Sequence, residues 1–255
     1  MASSRGRRLM RLFCLAWVLV FLSCVGRLPD EEPFDRNLPV LSAPPEVRVA
    51  LVRDAQTVQV EALSSFQLQA LPGGEILEQG GASGMVTVGA RDGRILWNGS
   101  VLPAREVKLS CGEGWAGEIR VGGVPFKGFV RLLALSPDRV PAVNHLDLEP
   151  YLQGVLGSEA PLDWPVEALK AQAIAARTYA LWRVRSAPAG APFDLTADTE
   201  SQMYAGLRKS LSQEHRMRLH AATDGTRGRM LTFGGRIFQA NFHAVCGGHP
   251  DPAWV

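Results

Sequence analysis

The sequence predicts an α+β fold: a β-rich N-terminal part with antiparallel strands, then a helix-containing part with a long buried helix and a C-terminal β-hairpin. Three observations carry this expectation. Residues 46–144 break into short apolar or alternating runs separated by glycine turns. Pro165–Val184 is apolar almost all round at helical length, the mark of a buried helix. Near the C-terminus, Gly234-Gly235 separates two short runs, Arg229–Phe233 and Arg236–Ala244, which is a hairpin signal.

The elements follow in order. The β-rich part offers Val47–Val52, Val58–Leu63, Met85–Val88, Ile95–Trp97, Glu106–Leu109, Glu118–Val121 and Phe129–Leu135 as strands. Pro72-Gly73-Gly74, Gly80-Gly81, Asp92-Gly93 and Gly122-Gly123 supply the turns. Leu148–Gly154 is expected to be a short helix leading into a turn that holds Glu159. In the long helix, Asp163 is placed to cap the orphan amides, Pro165 suits the first turn, and Glu167 favours the positive end of the dipole. The loop Ser186–Pro192 ends it, Phe193–Tyr204 reads as extended or irregular, and Leu211–Ala222 has helical spacing.

Composition bounds the answer. The chain has 255 residues, 46% hydrophobic and 20% charged, enough for a substantial core. A net charge of +2, with no basic stripe and interleaved aromatics, argues against a nucleic-acid partner. Residues 1–26 read as a signal peptide or signal anchor, with Arg5, Arg7, Arg8 and Arg11 before the apolar run Leu12–Gly26. That run is shorter than the roughly 20 residues of a membrane span. Phe21-Leu22-Ser23-Cys24 also loosely matches a lipoprotein processing site with Cys24 as the lipidated residue. Cleavage, lipidation and retention all export the body of the protein to the cell envelope, with the N-terminal segment as its contact with the membrane. Residues 27–45 form a proline-rich linker, and residues 46–255 one domain in two parts, 46–144 and 145–255. Beyond the leader only Cys111 and Cys246 remain, either bridged or as two free thiols.

The chemical candidates cluster after residue 150. Glu159 stands among Val155, Leu156, Gly157, Ala160 and Leu162. Such surroundings strip water from a carboxyl and favour its neutral form, as a general acid requires, whereas nearby cations act the other way. The plainer reading is a glutamate that caps amides. Lys170 and Arg177 are seven positions apart, which places them about 20° apart on one helix face. Cations on a buried helix must meet an internal acid or line a wet cleft. Gln202 and Tyr204, two apart, would face one way on a strand and suit sugar contacts. His243, Cys246 and His249 have an H-x2-C-x2-H spacing that zinc, a Cys246–His243 nucleophilic pair or a plain cleft wall would each explain; no metal or other cofactor is assigned. Ser158 lacks the G-x-S-x-G frame of a serine hydrolase.

These residues resemble the stage II sporulation protein D family, which includes the amidase-enhancer proteins of bacterial cell walls. The matching pieces are V-N-H-L-x-L-E-x-Y-L-x-G-V at Val143–Val155, Ser158-Glu159, Trp164-Pro165 and E-A-L-K-A-Q-A-I-A-A-R-T-Y-A at Glu167–Ala180. Asp198-Thr199, Ser201-Gln202-x-Tyr204, Thr226-Arg227-Gly228, Phe242-His243 and Cys246-Gly247-Gly248-His249 continue the match. The resemblance implies a lytic transglycosylase acting on peptidoglycan glycan strands stripped of stem peptides, or, alternatively, a non-catalytic glycan-binding protein that stimulates a cell-wall amidase. It implies that Glu159 protonates the glycosidic oxygen and then, as carboxylate, takes the C6 hydroxyl proton as an anhydro-muramic acid end closes. Ser158, Lys170, Arg177, Gln202, Tyr204 and His243 are the implied substrate contacts, with Arg177 matched to the free lactyl carboxylates. Some members place Cys and His, and zinc, where this chain has Glu200-Ser201, so the metal is not carried over. The family usually has Met where Ala160 stands and continues past the glycine turn, so a truncated or degenerate member is expected.

Overall fold

The computed structural model describes residues 45–112, 117–206 and 211–242. The leader and Cys246, with the question of its bridge to Cys111, lie outside these residues. Contacts divide the chain into Met1–Pro39 and Val40–Val255, and all the described residues fall in the second unit.

The alternating runs form strands. In chain order they are β1 (Glu46–Val52), β2 (Thr57–Ala62), β3 (Phe66–Ala70), β4 (Ile76–Gly80), β5 (Gly84–Arg91), β6 (Arg94–Trp97) and β7 (Ser100–Val101). There follow β8 (Glu106–Cys111), β9 (Glu118–Val121), β10 (Val124–Lys127), β11 (Phe129–Leu133), β12 (Ala142–Asp147) and the short β13 (Leu195–Thr196). One sheet runs β13-β1-β12-β11-β8-β3-β4 and the other β10-β9-β2-β5-β6-β7. All ladders are antiparallel except β1 with β13. Strict alternation marks the core faces: Val58, Val60 and Ala62 of β2 and Val107, Leu109 and Cys111 of β8 are buried. The Gly122-Gly123 turn joins β9 to β10 with φ of 57° and 83°, the left-handed pair that a tight hairpin needs.

All seven expected strands are present. The runs not anticipated include β3, β4, β10 and β12. β12 escaped notice because Asn144 and His145 interrupt its apolar pattern, yet both are buried. Asn144 donates to Lys127 O (2.9 Å) and Phe129 O (3.2 Å), so its burial is satisfied by neighbouring backbone. His145 stacks on Phe129 and its Nδ1 meets Glu46.

Among the described residues three helices carry the second part: α1 (Leu148–Glu159), α2 (Val166–Ser186) and α3 (Gln213–Asp224). α1 runs five residues beyond the expected Gly154. It stops where it does because Ala160 precedes Pro161, and a residue before proline is pushed out of the helical region; Ala160 has φ −131° and ψ 141°. Proline 161 therefore fixes Glu159 as the last helical residue, not a residue of a turn. α2 begins after Pro165, and no side chain caps it. Asp163 accepts from His215 Nε2 of α3 (3.0 Å), which corrects its expected capping role. Ser212 caps α3 by accepting from His215 N–H at 3.1 Å.

A small apolar cluster of Leu156, Ala160, Leu162, Leu169, Ala173, Leu219 and Ala222 locks the three helices together, each fully buried leucine contributing about 1.5–3 kcal/mol. The C-terminal hairpin is reduced to its turn. Phe233 and Arg236 exchange two backbone hydrogen bonds around Gly234-Gly235, but no ladder extends from them among the described residues.

Gly154 sets a tight contact within α1. A Cβ there would lie 2.4 Å from Tyr204 Cε2, and that ring is itself buried. In a free helix Gly→Ala gains about 1 kcal/mol. Here Gly154→Ala is expected to lose about 1–3 kcal/mol through overpacking, read as a lower midpoint in chemical denaturation; a raised midpoint would contradict the contact. A second expectation concerns acid. The His145 hydrogen bond holds the Glu46 carboxyl below its ordinary 4.5; partial burial opposes this and the charges of Arg48 and Arg131 reinforce it. A carboxyl depressed in the folded state stabilises above its unfolded value and loses that contribution as pH falls through the folded one. Wild type should therefore lose more stability than Glu46→Gln below about pH 4.5, measured as denaturation midpoints across pH.

Candidate functional site

Glu159 ends α1 at the negative end of the helix dipole, so the helix offers its carboxylate no donor. The donor comes from the segment after β13. Met203 N–H donates to Glu159 Oε1 at 2.6 Å. Oε2 has no hydrogen-bond partner among the described residues. The half-buried carboxylate faces a cleft of about 360 Å³ whose walls include Tyr179, Thr199, Glu200, Ser201, Gln239 and Asn241. Tyr179 comes from α2, Thr199–Ser201 from the loop after β13, and Gln239 and Asn241 from the chain after the Gly234-Gly235 turn. Three chain segments thus line the cleft into which the unpartnered Glu159 oxygen opens.

Glu200 brings a second carboxylate to this cleft. It is committed: Arg53, just past β1, ion-pairs with Glu200 and with Asp198 (3.2 Å). Thr196 Oγ1 donates to Asp198 at 2.7 Å and is the main reason that this carboxyl lies below the usual range. The two cleft acids therefore differ. Glu200 is matched by a guanidinium, and Glu159, among the described residues, is held only by a neutral amide.

Arg177 is not in the cleft. It is fully buried, and its Nε and Nη2 make a fork onto both oxygens of Glu149 at 2.9 and 2.8 Å. Nη1 donates to Thr226 Oγ1 (3.3 Å) and Arg229 O (3.1 Å), and Nη2 also to Thr223 O (3.3 Å). All five guanidinium protons are thereby used. This corrects the expectation that Arg177 binds lactyl carboxylates: it has neither exposure nor a donor to give. Lys170 pairs with Glu167 at 2.8 Å and its Cε lies near Gly225 at the end of α3, away from the cleft-lining residues.

Gln202 and Tyr204 are likewise turned inward. Gln202 accepts from Tyr151 Oη (3.0 Å) and donates to Ala176 O (3.2 Å), bridging α1 and α2. Tyr204 donates to Asn144 Oδ1 at 3.1 Å and rests against the Tyr151 and Phe126 rings. Burial pushes both tyrosine hydroxyls well above the ordinary phenol range. Expected as sugar contacts, these two side chains instead anchor the segment that presents Met203. Ser158 Oγ donates back to Gly154 O at 2.8 Å within the helix, the ordinary resting place of a helical serine. His243, Cys246 and His249 lie outside the described residues.

Three residues that hold the site together were given no role in the sequence reading. Glu149, the partner of Arg177, stands in the matched stretch Val143–Val155 beside a second acid, Asp147, and nothing local pairs it with Arg177. The role of Met203 resides in its amide and leaves no side-chain signal. Arg53 lies about 150 positions from its partners Asp198 and Glu200, and no local pattern connects them.

Residues 136–233 match the family model described as Stage II sporulation protein. An uncharacterised protein of Brachyspira hyodysenteriae is 37% identical over 133 residues, 52% of this chain and 34% of its own length. Stage II sporulation protein D of Bacillus subtilis is 34% identical over 172 residues, 60% and 49% of the two chains. The Amidase enhancer of the same bacterium is 29% identical over 100 residues, 39% and 12%. The chain thus spans no more than about half the length of these relatives. The resemblance to the stage II sporulation protein D family holds across residues 136–233, the stretch that carries Glu159, Arg177 and Gln202.

Breaking the buried pair tests the assignment of Arg177. Arg177→Ala leaves Glu149 charged and unpaired, and should cost about 3–5 kcal/mol. The expected readout in urea denaturation is a large loss of stability; near-normal stability with lost ligand binding would restore a surface role.

Proposed function

We propose that this chain acts on bacterial cell-wall glycan strands as a lytic transglycosylase, with Glu159 as the single acid and base. The observation that carries this reading is the asymmetry of Glu159: Oε1 held by Met203 N–H and Oε2 open to a polar cleft. A fixed oxygen sets the carboxyl plane, and the other is left to exchange a proton with substrate. In the reaction Glu159 would protonate the glycosidic oxygen as the C1–O bond breaks. Its carboxylate would then take the proton from the C6 hydroxyl of the muramic acid ring, whose oxygen closes onto C1 as an anhydro end. Proton and bond counts balance without water, so no second catalytic carboxylate is required, unlike the usual paired-carboxylate hydrolysis. Glu200, engaged by Arg53, is consistent with that count. The names borne by the relatives, stage II sporulation protein D and amidase enhancer, support a cell-wall substrate. The leader in the sequence supports an exported, envelope-bound protein with its N-terminal segment at the membrane.

A second reading is favoured by one of those names. The amidase enhancer relative supports a non-catalytic role in which the same cleft grips glycan and stimulates a cell-wall amidase. Incubating the purified protein with amidase-stripped glycan strands and looking for anhydro-muramic ends by mass spectrometry separates the two. Wild type should produce them, and Glu159→Gln should reduce the rate by about 10²–10⁴-fold, the usual worth of a positioned general acid. Strand binding without anhydro products in wild type would favour the amidase-stimulating module.

A further inference from the structure

A second hollow, of about 350 Å³, opens beyond the Glu159 cleft at the C-terminal end of α2. Its walls include Trp182, Arg183, Pro188, Pro192, Phe193 and Asp194. Trp182 and Phe193 are half-buried and bring flat apolar faces to it. Arg183, also half-buried, spends only its Nε, donating to Asp194 O at 3.2 Å. Nη1 and Nη2 have no partner among the described residues. The neighbouring Asp194 carboxylate does not serve them, because Arg48 already claims it: the Arg48 backbone N–H donates at 3.0 Å and Nε at 3.1 Å, and Nη2 forms an ion pair. A sheltered guanidinium edge with unspent donors, set beside aromatic and proline faces, matches a ligand that has both a carboxylate and a ring.

The hollow adjoins the Glu159 cleft. Tyr179 lines the cleft and Trp182 the hollow, one turn apart on α2, with ring centroids 6.4 Å apart and planes tilted by 43°. The chain from Asp194 to Ser201 also runs from the wall of the hollow to the wall of the cleft. Tyr179 is buried and Trp182 half-buried, so a linear polymer leaving the Glu159 cleft along α2 would meet Trp182.

We infer that this hollow is a subsite for an acidic sugar, in which Arg183 takes the free lactyl carboxylate of an N-acetylmuramic acid and Trp182 packs against its ring. The subsite rests on the glycan-strand reading above and supplies the anion contact that buried Arg177 does not. No bond is made or broken there.

The indole N–H signal of Trp182, assigned by its loss in Trp182→Phe, gives a direct readout in ¹⁵N-correlated NMR of the full chain. Free N-acetylmuramic acid should move it. N-acetylglucosamine, the same ring without the carboxylate, should bind about tenfold more weakly or worse, the cost of a lost charge-assisted hydrogen bond. Arg183→Gln should erase that preference. The methyl ester of N-acetylmuramic acid removes the charge from the ligand instead, should behave like N-acetylglucosamine, and stands independently of how the variant folds. Equal binding of acid, ester and N-acetylglucosamine would overturn the subsite, as would a preference that survives Arg183→Gln. Anhydro products without the preference would sink the subsite alone. The preference without anhydro products would leave the subsite standing in a non-catalytic glycan binder.

Discussion

The helical half of this protein is organised by one buried ion pair. Arg177 and Glu149 join the middle of α2 to the first turn of α1, and the remaining guanidinium protons tie down Thr223, Thr226 and Arg229 at and beyond the end of α3. Such a pair loses much solvation on burial and is retained only where every donor finds an acceptor. Here every donor does. The consequence is geometric more than energetic: the guanidinium fork permits one arrangement of three chain segments. Glu159 lies at the far end of the α1 whose beginning is thus pinned, and Gln239 and Asn241 follow from the segment that Arg229 starts.

A second layer of polar contacts then aims the loop that faces Glu159. Gln202 bridges Tyr151 and Ala176, and Tyr204 reaches Asn144 on β12, so the residues on either side of Met203 are both fixed from within. Met203 N–H is presented to Glu159 because its neighbours are buried. The β-rich half contributes through the same contact: Asn144 holds Lys127 O and Phe129 O with its amide and receives Tyr204 with its oxygen. Sheet and loop meet at one asparagine that a hydropathy pattern reads as an interruption.

That contrast explains what could be read in the sequence. Strands such as β2 and β8 were legible because one face of each is buried and alternation survives. β12 was not, since Asn144 is satisfied by the backbone of Lys127 and Phe129 and His145 by the Glu46 side chain at Nδ1 alone, and partners that far along the chain leave no local trace. Glu159 was legible as an isolated acid near a proline, and Pro161 gives the reason for its place at a helix end. The motif residues were found, but their directions were not. A buried arginine and a cleft arginine have the same letter, and only the partner distinguishes them. Arg177 has Glu149, whereas Arg183, unremarked in the sequence, keeps Nη1 and Nη2 without a partner among the described residues.

The hold on Glu159 has a consequence for how this surface can diversify. A main-chain amide, not a side chain, fixes the carboxylate, so the identity of residue 203 is largely uncoupled from the acid's position. Its side chain, 38% exposed at the cleft lip, is free to change in size and chemistry. Proline alone is barred, because it lacks the proton that the contact requires. Natural drift or deliberate redesign can thus reshape what the cleft admits at this position while the proton-transferring group keeps its orientation.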